Sequence, residues 1–213
     1  LMLGGISGIM PTNVVVIGAG TVGEYACRTA MGLGTSVIVF DNSVSKLRRL
    51  QNNIKQRIFT STLQPKALGK ALKRADVVIA ALRIGDGKVP CIVSEEMVSE
   101  MKKGAVVVDV SIDQGGCFET SRATTHQDPT YVIDNVIHYC VANMPGAVPR
   151  TSTISLNTAT INYILQLADM GAEKFCKIDH HHLSGLNTYK GHLTYKPVAD
   201  IFNIKYTDPN SII

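Results

Sequence analysis

The chain has 213 residues, 45% hydrophobic and 18% charged, with a net charge of +4. That length suits one well-buried domain plus an extension, and the modest charge, with no Lys/Arg run interleaved with aromatics, argues against nucleic-acid binding. No run of 18 apolar residues marks a transmembrane helix, and the first ten residues lack a signal-peptide pattern.

In chain order, residues 1–5 (LMLGG) read as the last turn of a helix, so the chain is expected to be a piece of a longer protein. Residues 14–17 (VVVI) form the first predicted strand, and 21–33 the first helix, with small residues Ala26 and Ala30 four apart for close packing on a sheet. Gly34 stops that helix. A second strand spans 36–40, a second helix begins at 43–53, and a third strand covers 57–61. Residues 65–74 read as a helix with Pro65 in its first turn. Residues 76–82 (DVVIAAL) and 105–111 (AVVVDVS) are continuously apolar, β-branched strands of the kind buried on both faces. Between them, residues 94–101 form a short helix capped by Ser94, with Glu95 and Glu96 in its first turn. The last strand is 136–141. This alternation predicts an α/β fold, a Rossmann-type doubly wound parallel sheet.

Beyond Pro149 the pattern turns helical through Ile161, Ile164, Leu165 and Leu167, then polar and His-rich over 174–190, with a final helix near 198–202. The boundary therefore falls near Pro149: residues 1–149 form one domain and 150–213 a helical C-terminal extension of a second, incomplete domain. The apolar face of 154–167 needs a cover.

The chemistry begins at residues 14–41, which run strand, glycine turn, helix, strand, acid. Gly18 allows the tight turn, Gly20 lets backbone approach a pyrophosphate, and Gly23 lets helix pack on strand. Thr21 and Val22 open the helix whose free N–H groups face phosphates. Asp41 ends the second strand, where a carboxylate accepts from adenosine ribose hydroxyls and repels a 2′-phosphate, favouring NAD over NADP. A plain N-cap for the following helix is the alternative role for Asp41.

Three further segments carry a resemblance: residues 107–119 (VVDVSIDQGGCFE), Thr124-Thr125-His126, and 138–153 (HYCVANMPGAVPRTST). With the glycine turn, they resemble the alanine dehydrogenase family, which also holds the NAD-binding subunit of proton-translocating transhydrogenase. The transhydrogenase branch usually carries a longer insert before the fourth strand. It also has an NGG-type segment where this chain has Asp113-Gln114-Gly115-Gly116. The resemblance implies an NAD domain at 1–149 and, at 150–213, a return into a substrate domain. It implies reversible oxidative deamination of L-alanine to pyruvate and ammonium in the cytoplasm, by a homo-oligomer that is hexameric in the family. The substrate-binding arginine and lysine and the catalytic histidine of the family lie in a part absent here. His126 and His138 do not replace them. The competing readings are the transhydrogenase-type subunit and a stand-alone NAD-binding module.

The resemblance names Asp113 as the catalytic residue, at the carboxyl edge of a strand where doubly wound sheets bind ligands; a turn-forming Asp is the alternative. Cofactor contacts are expected at Val110, Ser111 and Ile112 ahead of it, and at Val141, Ala142, Asn143 and Met144 after the last strand. Asn143 would serve the nicotinamide ribose and Met144 the ring, or both belong to an ordinary turn. Leu82 and Arg83 are expected to line the path between adenosine and nicotinamide, although Arg83 replaces an apolar residue. Lys46 resembles a position near the adenosine, or is an exposed helix lysine. Arg122 is expected to reach the cofactor phosphates or to form a surface salt bridge. Leu63 falls where the family often has a serine near the adenine. Asp109 is read as structural, and Cys117 and Cys140 as small apolar packers. His180-His181-His182 is read as a solvated stretch, because adjacent side chains diverge and rarely share a metal; no metal is expected.

Overall fold

A computed structural model describes residues 2–85 and 88–213. Leu1 of the expected helix end lies outside the described residues; Met2 to Gly5 form a turn closed by the Gly5 N–H on the Met2 carbonyl at 3.2 Å.

The chain divides into two compact units, residues 1–144 and 145–213. The first is built on a seven-stranded sheet of order β3-β2-β1-β4-β5-β7-β6. Its strands are β1 (Asn13–Ile17), β2 (Ser36–Phe40), β3 (Phe59–Ser61), β4 (Val77–Ala80), β5 (Val106–Asp109), β6 (Thr130–Ile133) and β7 (Val136–Tyr139). Helices α1 (Thr21–Gly32), α2 (Val44–Ile54), α3 (Pro65–Leu72) and α4 (Glu95–Ser99) connect them. Side chains alternate across β1, so it feeds two cores. Val14 and Val16 pack with Cys27, Leu47 and Leu50, which belong to α1 and α2. Val15 and Ile17 pack with Leu68, Leu72 and Val98, which belong to α3 and α4. Helices on both faces explain why these strands are nearly continuous Val and Ile.

The helix ends follow capping chemistry. Ser43 caps α2 by accepting from the Lys46 N–H at 3.3 Å, and Ser94 caps α4 through the Met97 N–H at 3.2 Å. Asp41 is therefore not the helix cap.

The sheet is not wholly parallel as expected. β6 runs antiparallel to β7 at the edge. Asp134 (φ 51°) and Asn135 (φ 62°) make the two-residue hairpin turn that joins them. Two consecutive left-handed residues give the twist that matches paired strands. The segments 105–111 and 136–141 also end earlier than expected, because Val110–Gln114 turns into a 3₁₀ helix and pairing with β7 stops at Tyr139.

In the second unit, α5 (Pro149–Cys176) is a long helix broken at Gly171, whose φ of 75° and ψ of 164° are not helical. Ile154, Leu156, Ile164 and Leu165 on it are each more than half exposed. The remainder is α6 (His180–Ser184), a small hairpin of β8 (Thr188–Tyr189) and β9 (His192–Leu193), and α7 (Lys196–Phe202). The hairpin corrects the expectation of a purely helical extension: Lys190 (φ 47°) and Gly191 (φ 83°) form its turn. The His-rich stretch is not simply solvated either. Asp179 caps α6, accepting from the His182 N–H at 2.9 Å and approaching Nδ1 at 2.8 Å. The His182 ring lies edge-on to Phe175 with centroids 4.7 Å apart. These contacts with His182 hold the Asp179 carboxyl down at about 2.

Candidate functional site

Strand register assembles the site. Ile17 pairs with both Phe40 and Ala80, and Ala80 with Asp109. The next residues, Gly18, Asp41, Ala81 and Val110, thus emerge in one row at the carboxyl ends of β2, β1, β4 and β5. This is the point where strand order reverses, and doubly wound sheets bind ligands there.

Gly18 leaves β1 with φ 110°, and a Cβ on it would stand 2.5 Å from the Ala81 carbonyl. Only glycine fits there. A Cβ on Gly23 would collide with the Gly18 carbonyl, so the absence of a side chain lets α1 close on the turn. Beside Gly20, by contrast, a Cβ would meet nothing within 4 Å. The turn is clamped from β2 and α2. Asp41 accepts from the Ala19 N–H at 2.8 Å and the Ser43 N–H at 2.7 Å, and Arg49 donates to the Ala19 carbonyl at 3.0 Å. Asp41 is 7% exposed, so its carboxylate first orders the glycine turn and offers its remaining lone pairs to the cleft.

A cavity of about 600 Å³ opens above this turn, lined by Gly18, Gly20, Thr21, Val22, Asp41 and Lys46 among others. Leu63, Leu82 and Arg83 line it too. A second cavity, of about 310 Å³, is lined by Val110, Ser111, Asp113 and Gln114. The two share Val22, Ala81, Leu82 and Arg83.

Asp113 stands on the 3₁₀ turn after β5. The turn is held from below by Asp109, fully buried, which accepts from the Ser111 N–H at 2.9 Å, the Cys117 N–H at 2.9 Å and the Ser121 hydroxyl at 2.6 Å. Gly116 (φ 74°) passes so close that a Cβ would lie 2.7 Å from Asp109 Oδ2. Asp113 itself is exposed, and Oδ1 receives the Asn143 N–H at 3.4 Å.

The remaining expected residues divide. Asn143 (φ 55°) meets Asp113 through its backbone, and its carbonyl lies 3.1 Å from His126 Nε2. Val141 and Ile112 are buried packers, and Ala142 ties its N–H to the Thr124 carbonyl at 3.2 Å. These three, with Met144, line neither cavity. Arg122 also lines neither; its guanidinium lies 4.1 Å over the Tyr131 ring. Tyr131 in turn stacks on buried His138, centroids 5.0 Å apart. Burial pushes His138 below the usual imidazole range, against the pull of the Val136 carbonyl and the Asp109 charge. His138 thus packs behind the site rather than in it.

Arg49, Gln114 and the Asp109 donors Cys117 and Ser121 were not anticipated as site residues. Arg49 had a signal: it lies three residues after Lys46 on the same helix face. Gln114 donates through Nε2 to the Ile84 and Gly85 carbonyls, each at 3.2 Å. No local pattern announces a side chain that bridges two strand ends.

Residues 1–196 match the family model described as alanine dehydrogenase/PNT, C-terminal domain. The chain belongs to that family. It is similar to the alanine dehydrogenase of Halomonas elongata, at 46% identity over all 213 residues and 57% of the relative's length. A solved structure titled L-alanine dehydrogenase superposes with a TM-score of 0.88 at 38% identity, over 95% of this chain and 56% of that one. A transhydrogenase structure from Sinorhizobium meliloti reaches a TM-score of 0.66 at 21% identity, over 76% of this chain and 46% of that one, and shares the fold. The chain thus spans a little over half the length of the curated relatives it matches. Among the described residues, no helix is long and apolar enough to cross a membrane, and no group of three His, Cys, Asp or Glu could hold a metal ion.

Proposed function

We propose that this chain is the NAD-binding part of an alanine dehydrogenase, with residues 1–149 as the cofactor domain and 150–213 as a return into the substrate domain. The protein would assemble as a homo-oligomer. The reaction is L-alanine + NAD⁺ + H₂O ⇌ pyruvate + NH₄⁺ + NADH + H⁺. The observation that carries this reading is the pair of adjoining cavities, one over the glycine turn with Asp41, the other at Asp113.

The residues fit a dinucleotide. Gly18 and Gly23 bring backbone close, Gly20 leaves open space, and the first turn of α1 offers free N–H groups to phosphates. Asp41 and Lys46 flank the adenosine end, and Asp41 favours a free 2′-hydroxyl over a phosphate. Bound NAD would supply the hydride acceptor. Asp113, at the other cavity, would accept a hydrogen bond from the substrate amine or from attacking water and take up a proton there. Its carboxylate also stabilises positive charge on the reacting nitrogen. The Asn143 N–H lies 3.4 Å from Asp113 Oδ1, a weak donor to the carboxylate.

The test is alanine-dependent NADH formation by the whole protein, read at 340 nm beside an NADH-binding titration. Alanine oxidation with NAD is the expected result. Tight NADH binding without alanine oxidation would replace the reading by a hydride-passing binding subunit.

A further inference from the structure

Arg83 stands just beyond the end of β4, where an apolar residue is expected. Its surroundings give the departure a use. The backbone on either side is pinned to the turn that carries Asp113: Ser111 Oγ donates to the Leu82 carbonyl at 2.9 Å, and Gln114 Nε2 donates to the Ile84 carbonyl at 3.2 Å. The segment is therefore held between two side chains from one neighbouring turn. The guanidinium, in contrast, is exposed and has no hydrogen-bond or ion-pair partner among the described residues. It forms no ion pair with Asp113, although both line the smaller cavity.

Among the described residues, Arg83 is also the only cationic side chain lining both cavities; Lys46 lines the larger alone. A ligand that runs from the Asp41 end to the Asp113 end must cross the wall that Arg83 shares with Val22, at the start of α1. The part of a dinucleotide that crosses there is its doubly charged middle. An unpaired guanidinium on an anchored backbone matches phosphate oxygens with two parallel N–H donors.

We propose that Arg83 is a pyrophosphate contact of this cleft, opposite the α1 N-terminus. The inference rests on the dinucleotide reading above. It adds a cation where the expected residue is apolar, and so a salt-dependent component to cofactor affinity.

The experiment is fluorescence titration of the whole protein with NADH, and competition by ADP-ribose and by adenosine, at low and high salt. Arg83→Leu should weaken NADH and ADP-ribose about tenfold at low salt. It should leave adenosine unchanged and flatten the salt dependence, while Arg83→Lys recovers part of the loss. Unchanged adenosine binding also shows that the variant is folded. Wild-type NADH affinity with an unaltered salt slope in Arg83→Leu overturns the proposal and leaves the dinucleotide reading standing. An equal loss for adenosine and ADP-ribose likewise overturns it, because the effect is then not on phosphate. Failure of the unmodified protein to bind NADH removes the dinucleotide reading and the proposal with it.

Discussion

Removing the Asp109 carboxylate should cost more stability than any other single polar deletion around the site. Asp109 is 0% exposed and receives three donors, the N–H groups of Ser111 and Cys117 and the Ser121 hydroxyl. In Asp109→Ala the Ser111 and Cys117 amides lose their acceptor, and both residues are themselves buried. Each orphaned buried donor costs about 1–3 kcal/mol. Ser121 can turn its hydroxyl elsewhere and adds less. The expected loss is about 3–5 kcal/mol, a large share of the about 5–15 kcal/mol available to a domain. Asp109→Asn keeps one acceptor but turns an NH₂ toward a donor, so about half that loss is expected. Urea unfolding followed by circular dichroism measures both, and amide exchange at Ser111 and Cys117 locates the effect. A cost under about 1 kcal/mol for Asp109→Ala, with both amides still protected, would refute the claim that this carboxylate holds the turn.

Asp113→Asn should leave NADH binding within about threefold of the original while alanine oxidation falls by a factor of about 100 or more; steady-state kinetics beside a binding titration separates the two. Gly23→Ala should lower the melting temperature and weaken NADH together, because its methyl group meets the Gly18 carbonyl; a variant as stable as the parent contradicts that packing. His138 titrates lower folded than unfolded, so the unfolded chain binds the extra proton first. Stability should then be full above about pH 6.5 and fall below it, by up to about 1.4 kcal/mol per pH unit. Urea midpoints between pH 7.5 and 5 should show a smaller fall in His138→Gln. Cys27, Cys117, Cys140 and Cys176 are buried, and burial lifts Cys27 to about 12; partial desolvation and the Glu119 charge raise the Cys91 thiol too, but Cys91 is exposed. A thiol reagent should therefore modify one cysteine per native chain quickly, and mass mapping should find it at Cys91.

Much of the first unit was legible from pattern alone. The strands at 14–17 and 36–40, the helix stop at Gly34 and the cap Ser94 follow from chemistry contained within a few residues, whereas the cap Ser43 was read as the first helical residue. β6 escaped a reading based on hydrophobic runs because it is an edge strand with Thr130 and Val132 exposed, and β8 and β9 escaped because each has only two residues. Their signals were the turn pairs Asp134-Asn135 and Lys190-Gly191, in which Asp, Asn and Gly tolerate left-handed backbone.

The sequence by itself determined that a glycine turn and an acid stand at the ends of the first two strands, because tight turns and alternating strands are local consequences of side-chain size and branching. Only the tertiary structure decided what surrounds them. Parallel register put Gly18, Asp41, Ala81 and Val110 in one row and joined the Leu82–Gly85 segment to the turn of Asp113. Those neighbours lie tens of residues apart along the chain. Their meeting depends on which strands pair and on which buried donors then need an acceptor, and neither is encoded in any short stretch of residues.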